Sequence, residues 1–219
     1  MLYNTCIMET KKNISYVEFR DFFFPLGCFS IHQVEIWQEQ FDRNNLHRWE
    51  KQGKLIRLRQ GYYTFPALKG NGDAPFYFAN KMYAPSYISL ESALSFYGII
   101  PEGVIQITSV TARKTKTFQN SFGNYIYRSV KPSLMFGYSM EQSTLSNNWS
   151  MLLAVPEKAL LDFLYLNPQY DSQEDMRELR LDIDFMQEDL NVDRLNEYLM
   201  RFESKILETR VLRLKGAYL

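Results

Sequence analysis

The stretch from Asp42 to Phe65, DRNNLHRWEKQGKLIRLRQGYYTF, combines a short basic helix with a tight hairpin that follows it directly. At about 100° per residue, four polar side chains of this helix fall within one arc of roughly 100°, while Leu46 and Trp49 point the opposite way. One face is therefore suited to packing, and the other presents hydrogen-bonding groups. The polar face consists of Asn44, His47, Arg48 and Lys51.

The ends of this helix and the hairpin contain residues with strong local preferences. Asp42 is suited to cap the helix N-terminus, and Gly53 to occupy the position just after its C-terminus. The chain then becomes apolar and β-branched from Lys54 to Leu58. Gly61 supplies the positive φ that a short hairpin loop usually needs before a second strand, Tyr62 to Phe65. The hairpin carries Arg57, Arg59 and Gln60.

Two further helices are predicted before this segment. Ser30 and Gln33 form a capping-box pattern that opens a helix ending near Gln38. Tyr16 to Phe24 is predicted to be the first helix. Three helices and a hairpin in this order are typical of a winged helix-turn-helix. In that fold the third helix enters a DNA groove and the second helix supports the third. We therefore predict such a domain over residues 1–65.

The polar face of the third helix has the chemistry of a DNA reader. Asparagine and arginine bind adenine and guanine bidentately in the major groove, and basic side chains bind phosphates. A basic helix alone is more often just a solvated surface, but here a helix, a tight turn and a basic hairpin coincide. The predicted DNA-binding residues are Asn44, His47, Arg48 and Lys51 in the groove, with Arg57, Arg59 and Gln60 on the wing.

The net charge of zero over 219 residues conceals an asymmetry between the two halves of the chain. Residues 1–156 hold 16 basic and 11 acidic side chains, whereas residues 157–219 hold 9 and 14. This division is compatible with a basic DNA-binding face and an acidic remote end. Acidic helices are at least as often ordinary solvated surfaces. The charge pattern therefore permits DNA binding without requiring it.

The cysteines and the N-terminus indicate a cytoplasmic protein. Cys6 and Cys28 are too few for a disulfide framework or a four-thiolate metal site. Glu9, Lys11 and Lys12 interrupt the apolar run that a signal peptide requires, and no segment approaches the roughly 18 apolar residues of a membrane span. We expect no membrane association, no metal and no cofactor.

The rest of the chain is predicted to form a second, mixed domain, so that the whole is α+β. The segment PALKGNGDAP, residues 66–75, is the predicted linker, and residues 76–219 follow as the second domain. Short β-branched or aromatic runs predict a small antiparallel sheet, and capping patterns predict four helices. The strands are expected within 104–111, 123–130 and 133–140, and the helices over 75–82, 89–97, 156–166 and 193–208.

A second basic segment lies in this domain, where no acid occurs from Val104 to Tyr138. Strand alternation could line its side chains along a hairpin next to the DNA, or leave them as solvated charges on one sheet face. Its basic residues are Arg113, Lys114, Lys116, Arg128 and Lys131, of which the first three are the candidate secondary DNA contacts.

Two other classes of function compete with DNA binding. Asp182 and Asp184, in LDIDF, form an alternating acidic pair of the kind that holds magnesium in nucleotidyl transfer, although the Gly-Ser turn of such enzymes does not precede them. An exposed strand or extended face explains the pair more simply. Alternatively, a winged helix can act purely as a protein-interaction module, but that role does not require Asn44, Arg48 and Lys51 together.

Four ordered segments carry a resemblance to a known family. These are LHRWEKQGKLIRLRQGYYTF, YAPSYISLESALSFYGIIPE, ITSVTARKTKTF and PEKALLDFLYL. Together they resemble the AbiEi antitoxins of type IV toxin-antitoxin systems over roughly residues 16–166, whereas residues 167–219 do not match.

The resemblance implies a bacterial transcriptional autorepressor that is also an antitoxin. Its N-terminal winged helix would bind inverted repeats of double-stranded DNA in its own promoter, and its C-terminal domain would provide antitoxicity. The functional partner implied is a nucleotidyltransferase toxin encoded alongside. Direct contact with that toxin is not implied, and an enzymatic activity of this chain is not expected.

Overall fold

Residues 14–101, 103–143 and 146–219 are described by a computed structural model, which places Cys6 outside the described residues. The chain is mixed α and β and divides into two compact units between Asn71 and Gly72, within the segment predicted as the linker. That segment is locally ordered, because Pro66–Leu68 forms a short 3-10 helix and Leu68 is buried.

The first unit contains three short α-helices, two 3-10 helices and a three-stranded antiparallel sheet in its described part. The strand order is β1-β3-β2, and β2 and β3 form the predicted hairpin. Strand β1 was not predicted, because a three-residue strand is too short to show a period. The elements are α1 (Tyr16–Phe23), β1 (Cys28–Ser30), α2 (Ile31–Trp37), α3 (Asn44–Lys51), β2 (Ile56–Arg59) and β3 (Tyr62–Thr64).

Two of the predicted helix ends in this unit are confirmed, the start of α2 and the end of α3. Ser30 and Gln33 form a complete capping box at α2. Gly53 has φ +69° after α3 and donates to the Glu50 carbonyl, while the next amide, Lys54, donates to Trp49. These two bonds make a Schellman motif, which satisfies carbonyls at the helix end. At the other end the N-cap position is Arg43, which makes no side-chain capping bond, so the prediction of Asp42 there was wrong by one residue; the Asp42 carboxylate still accepts from the backbone amide of Asn44 at 3.0 Å.

An aromatic core holds α3 in place. Trp49 is almost fully buried, and its ring centroid lies 4.7 Å from that of Phe19 in α1. Leu46, on the same side of α3, is also buried. Burying large apolar side chains removes apolar area from water and is worth about 1.5–3 kcal/mol for each one. The orientation of α3 therefore follows from its two apolar residues, as predicted.

The second unit is built on a mixed six-stranded sheet with the strand order β6-β7-β5-β4-β9-β8 in the described residues. Its elements up to the last strand are α4 (Ala74–Met82), β4 (Ser86–Ile88), α5 (Leu90–Phe96), β5 (Gln106–Thr111), β6 (Lys116–Asn120), β7 (Gly123–Ser129), β8 (Tyr138–Ser143) and β9 (Ser146–Ala154). After the sheet come α6 (Pro156–Leu166), α7 (Gln173–Glu178), α8 (Val192–Met200) and α9 (Lys205–Tyr218).

The prediction of a small antiparallel sheet here was wrong in size and in direction. Strands β4, β6 and β9 were missed, and β4 pairs parallel with β9 while β5 pairs parallel with β7. The short β4 and the polar edge strand β6 lack a clear alternation of apolar residues. Parallel pairing joins strands that are distant in sequence, so no local turn pattern reports it.

The helical predictions were better where the signal was local. Helix α6 begins at Pro156 and is buried almost all round, which confirms its prediction as a core helix. The single helix predicted from 193 to 208 was wrong, because the chain forms α8 and α9 instead. Between them Glu203 adopts φ +49°, which a continuous α-helix does not allow, and the Ser204 hydroxyl caps α9.

A buried ion pair lies between α6 and the sheet. Lys158 and Asp162 are both fully buried and form a salt bridge. The other Asp162 oxygen accepts hydrogen bonds from the hydroxyls of Tyr87 and Ser89, each at 2.8 Å. Burial raises the pKa of Asp162 and lowers that of Lys158, while their mutual attraction opposes both changes. Both charged groups of the pair are thus hydrogen-bonded within the core.

None of the helices in the described part of the chain combines the length and apolarity that a membrane span requires.

Candidate nucleic-acid interface

The polar face of α3 is exposed along its whole length. Its four members lie on the side opposite to Leu46 and Trp49, whose side chains are only 1% and 2% exposed. Within eight residues the helix therefore separates a packing face from a solvent face. The exposed residues are the four predicted from sequence, Asn44, His47, Arg48 and Lys51.

The β2–β3 hairpin presents the three predicted wing residues near its turn. Gly61 adopts φ +79°, which allows the tight reversal into β3. Arg57 and Gln60 are exposed, and Arg59 is half-buried with its guanidinium carbon 4.1 Å from the centroid of the Tyr62 ring. The register shifts between Arg57 and Arg59, and this irregularity adds twist to the hairpin.

Glu50 connects α3 with the hairpin. Its Oε2 accepts from Arg57 Nη2 at 2.5 Å and lies 3.9 Å from His47 Nδ1. The hydrogen bond to Glu50 raises the pKa of Arg57, so the guanidinium stays charged. Glu50 was not predicted as a site residue, although it is the only acid in residues 43–59, where it stands among six basic side chains.

Asn45 orients Arg48, one of the residues predicted to contact DNA bases. Arg48 Nη2 donates to the Asn45 side-chain oxygen at 2.8 Å, a contact between residues three apart on the helix surface. This contact favours one rotamer of the guanidinium, and a side chain held in one rotamer loses less entropy when it binds a ligand. The i,i+3 spacing was visible in the sequence, but it does not show which of several neighbours Arg48 contacts.

The loop after α3 is anchored to α1. Tyr16 donates from its hydroxyl to the Lys54 carbonyl at 2.9 Å, and the Lys54 ammonium lies 5.0 Å from the centroid of the Tyr16 ring. Burial raises the pKa of Tyr16, so this hydroxyl remains a donor. Both the backbone carbonyl and the side chain of Lys54 therefore attach the turn between α3 and β2 to α1.

The second basic segment lies in the other compact unit, and its side chains do not form one row. Arg113 donates to the Ala84 carbonyl at 3.1 Å and stacks over the Tyr83 ring, in the loop between β5 and β6. Lys114 is exposed in that loop, and Lys116 is exposed at the start of the edge strand β6. Arg128 instead donates to the Leu166 carbonyl at the end of α6.

The acidic pair of the competing enzyme hypothesis is not on a strand. The expectation of an exposed strand at LDIDF was wrong, because this segment enters a single π-helical turn, Phe185–Asp189. The carboxylate of Asp182 accepts from the Phe185 amide at 2.7 Å and so caps that turn, while Asp184 is exposed. Among the described residues, no three His, Cys, Asp or Glu side chains are grouped to hold a metal ion.

The sequence matches no protein-family model and no curated protein.

Proposed function

We propose that the first unit is a winged helix-turn-helix that binds double-stranded DNA, with α3 in the major groove and the β2–β3 hairpin as the wing. The observation that carries the proposal is the exposed face of α3, Asn44, His47, Arg48 and Lys51, beside a hairpin that bears two arginines. At 1.5 Å per residue, α3 is about 12 Å long, and a B-DNA major groove is about 12 Å wide.

The character of this face favours DNA over a protein partner. Protein interfaces concentrate aromatic and aliphatic residues at their centres and are depleted in lysine. The face of α3 instead carries an amide, an imidazole, a guanidinium and an ammonium. A protein-interaction module is therefore the second candidate.

The proposal is tested by titrating the purified protein against a labelled duplex from its own upstream region, with fluorescence anisotropy at several salt concentrations. We expect binding whose logarithmic affinity falls linearly with the logarithm of salt concentration, because each phosphate contact releases counterions. A random duplex of equal length serves as the comparison. The absence of binding to both duplexes at low salt would contradict DNA binding and favour the protein-interaction role.

We further propose that this protein is an autorepressor and antitoxin of a type IV toxin-antitoxin system. The support is the resemblance of four ordered segments to AbiEi antitoxins, together with the DNA-binding face. The test is to express the adjacent reading frame alone and together with this chain. Growth arrest by the neighbour, relieved by co-expression, is the expected result. A neighbour that is harmless, or whose toxicity this chain does not relieve, excludes the antitoxin role and leaves DNA binding to be judged separately.

Glu50→Gln is expected to strengthen binding to random DNA by roughly fivefold at low salt. The substitution removes the only acid of residues 43–59 and replaces the ion pair with Arg57 by a weaker neutral acceptor, and one unit charge at about 4 Å in water is worth about 1 kcal/mol. If Arg57 then gains a phosphate, the salt slope steepens by about 0.9. Glu39→Gln, an exposed acid of the same unit outside α3 and the hairpin, is the control. Equal affinities for parent and Glu50→Gln would show that Glu50 does not limit phosphate binding.

The candidate secondary contacts are tested by replacing Arg113, Lys114 and Lys116 together with glutamine. Because Arg113 is already bound to Ala84 and Tyr83, we expect Lys114 and Lys116 to account for most of the effect, a salt slope shallower by about 2. A double variant, Lys205→Gln with Lys215→Gln, lowers the charge of the same unit elsewhere. A slope that matches the parent removes this segment from the interface.

A further inference from the structure

Four exposed cations lie at one end of the six-stranded sheet. The loop between β5 and β6 meets the end of β7 there, because the Val130 amide donates to the Thr111 carbonyl at 2.9 Å. The two segments that form this end, residues 74–90 and 103–140, contain no aspartate or glutamate. A surface with charges of one sign attracts a polyanion. This basic end consists of Arg113, Lys114, Lys116 and Lys131.

Arg113 rests on an aromatic support within the basic end. Its Nη1 donates to the Ala84 carbonyl at 3.1 Å, and its guanidinium carbon lies 4.7 Å from the centroid of the Tyr83 ring. The Tyr83 hydroxyl donates to the Lys114 carbonyl at 3.1 Å, and its ring centroid lies 5.0 Å from that of the buried Tyr127. Arg113 nevertheless remains exposed. Its guanidinium is thus held in place and is still accessible to a ligand.

A fixed and accessible guanidinium favours a ligand with open π faces. Guanidinium planes stack on nucleobases as they do on aromatic side chains. In a duplex each base is covered by its neighbours in the stack, whereas the bases of a single strand can be splayed out. Lys114 and Lys116 lie one and three residues from Arg113 and are exposed, so they can bind the phosphates beside a stacked base.

We propose that the basic end binds single-stranded nucleic acid, with one base stacked on the guanidinium of Arg113 and the flanking phosphates bound by Lys114 and Lys116. The proposal does not rest on duplex binding by the first unit, because all three residues belong to the second unit. It also differs from a secondary duplex contact, in which the same cations would meet phosphates alone.

Fluorescence anisotropy with labelled probes of about 12 nucleotides tests this inference. Strands of one sequence without self-complementarity are compared as DNA, as RNA and as a DNA duplex, and a fourth probe of abasic sites has the same number of phosphates. The full chain is used as the parent and as Arg48→Ala with Lys51→Ala, which weakens the proposed duplex-binding face of the first unit.

In both proteins we expect a single strand to bind at least about fivefold more tightly than the abasic strand, because base stacking adds to the attraction of the phosphates. The same strand should bind more tightly than the duplex in the double variant. Preference for the DNA or the RNA strand identifies the sugar that the site accepts. Equal binding of the abasic strand would reduce the basic end to a phosphate contact and overturn the proposal.

Arg113→Lys separates stacking from charge, since an ammonium keeps the charge but has no plane to stack. We expect single-strand affinity to fall at least about fivefold while the salt slope stays the same. Arg177→Lys changes an exposed arginine on α7 of the same unit and is the matched control. Binding of Arg113→Lys that equals the parent would refute the stacked base.

Lys114→Gln with Lys116→Gln tests the phosphate contacts. The salt slope for the single strand should become shallower by about 1.4, at about 0.7 for each phosphate, and a slope equal to that of the parent would remove both lysines from the site. A mutation-free measurement locates the strand on the parent. Backbone amide resonances of residues 113–116 should shift when the strand is added, while that of Arg177 stays fixed. Unmoved resonances in residues 113–116 would exclude binding at the basic end.

Discussion

Replacing Arg48 with alanine is expected to weaken binding to the upstream promoter by about 1–3 kcal/mol, roughly 5- to 150-fold, and to relax the sequence preference at one position. The reason is geometric, since a guanidinium can donate two hydrogen bonds to the major-groove edge of guanine. Arg48 is exposed on α3 and is already oriented by Asn45 at 2.8 Å. Competition between the promoter and a library of variant duplexes measures both effects.

Lys51→Ala provides the contrast within the same helix. An ammonium that contacts phosphate reads no sequence, so all duplexes should lose affinity alike and the salt slope should fall by about 1. Arg20→Ala, which removes an exposed arginine of α1, is the control for general loss of positive charge in this unit. Binding of Arg48→Ala and Lys51→Ala that equals the parent on every duplex would refute the placement of α3 in the groove.

Replacing Lys158 with methionine is expected to lower the free energy of unfolding of the second unit by about 3–5 kcal/mol. The substitution leaves Asp162 fully buried without its cation, and transfer of an unpaired carboxylate out of water is costly. The ammonium also donates to the Tyr87 hydroxyl at 2.8 Å, so a second hydrogen bond is lost. Peptide-level hydrogen exchange should show faster opening in residues 72–219 and unchanged exchange in the first unit.

A compensating substitution separates the charge from the packing. In Lys158→Met with Asp162→Asn, no buried charge remains and the amide oxygen can still accept from Tyr87 and Ser89. This double variant should be more stable than Lys158→Met alone. Two results would contradict this prediction. One is a loss of unfolding free energy below about 1 kcal/mol in Lys158→Met, and the other is no gain of unfolding free energy when Asp162 is also neutralised.

Local sequence predicted the helix ends and the two faces of α3. The capping box of Ser30 and Gln33 and the positive φ of Gly53 depend only on residues within one turn. The exposure of Arg48 and the burial of Trp49 also follow from local sequence, because the helical period alone places them on opposite faces of α3. These features act over a few residues, so their sequence patterns are sufficient to find them.

Contacts between distant residues required the tertiary structure. Glu50 and Arg57 belong to different elements, and Lys158 and Tyr87 are 71 residues apart. The parallel pairs of the large sheet likewise join strands that no short turn connects. The sequence alone therefore determined the polar face of α3 and its C-terminal end at Gly53. Only the tertiary structure decided the partner of Arg57, the pairing of the sheet and the burial of Lys158, because each depends on which distant groups the folded chain brings into contact.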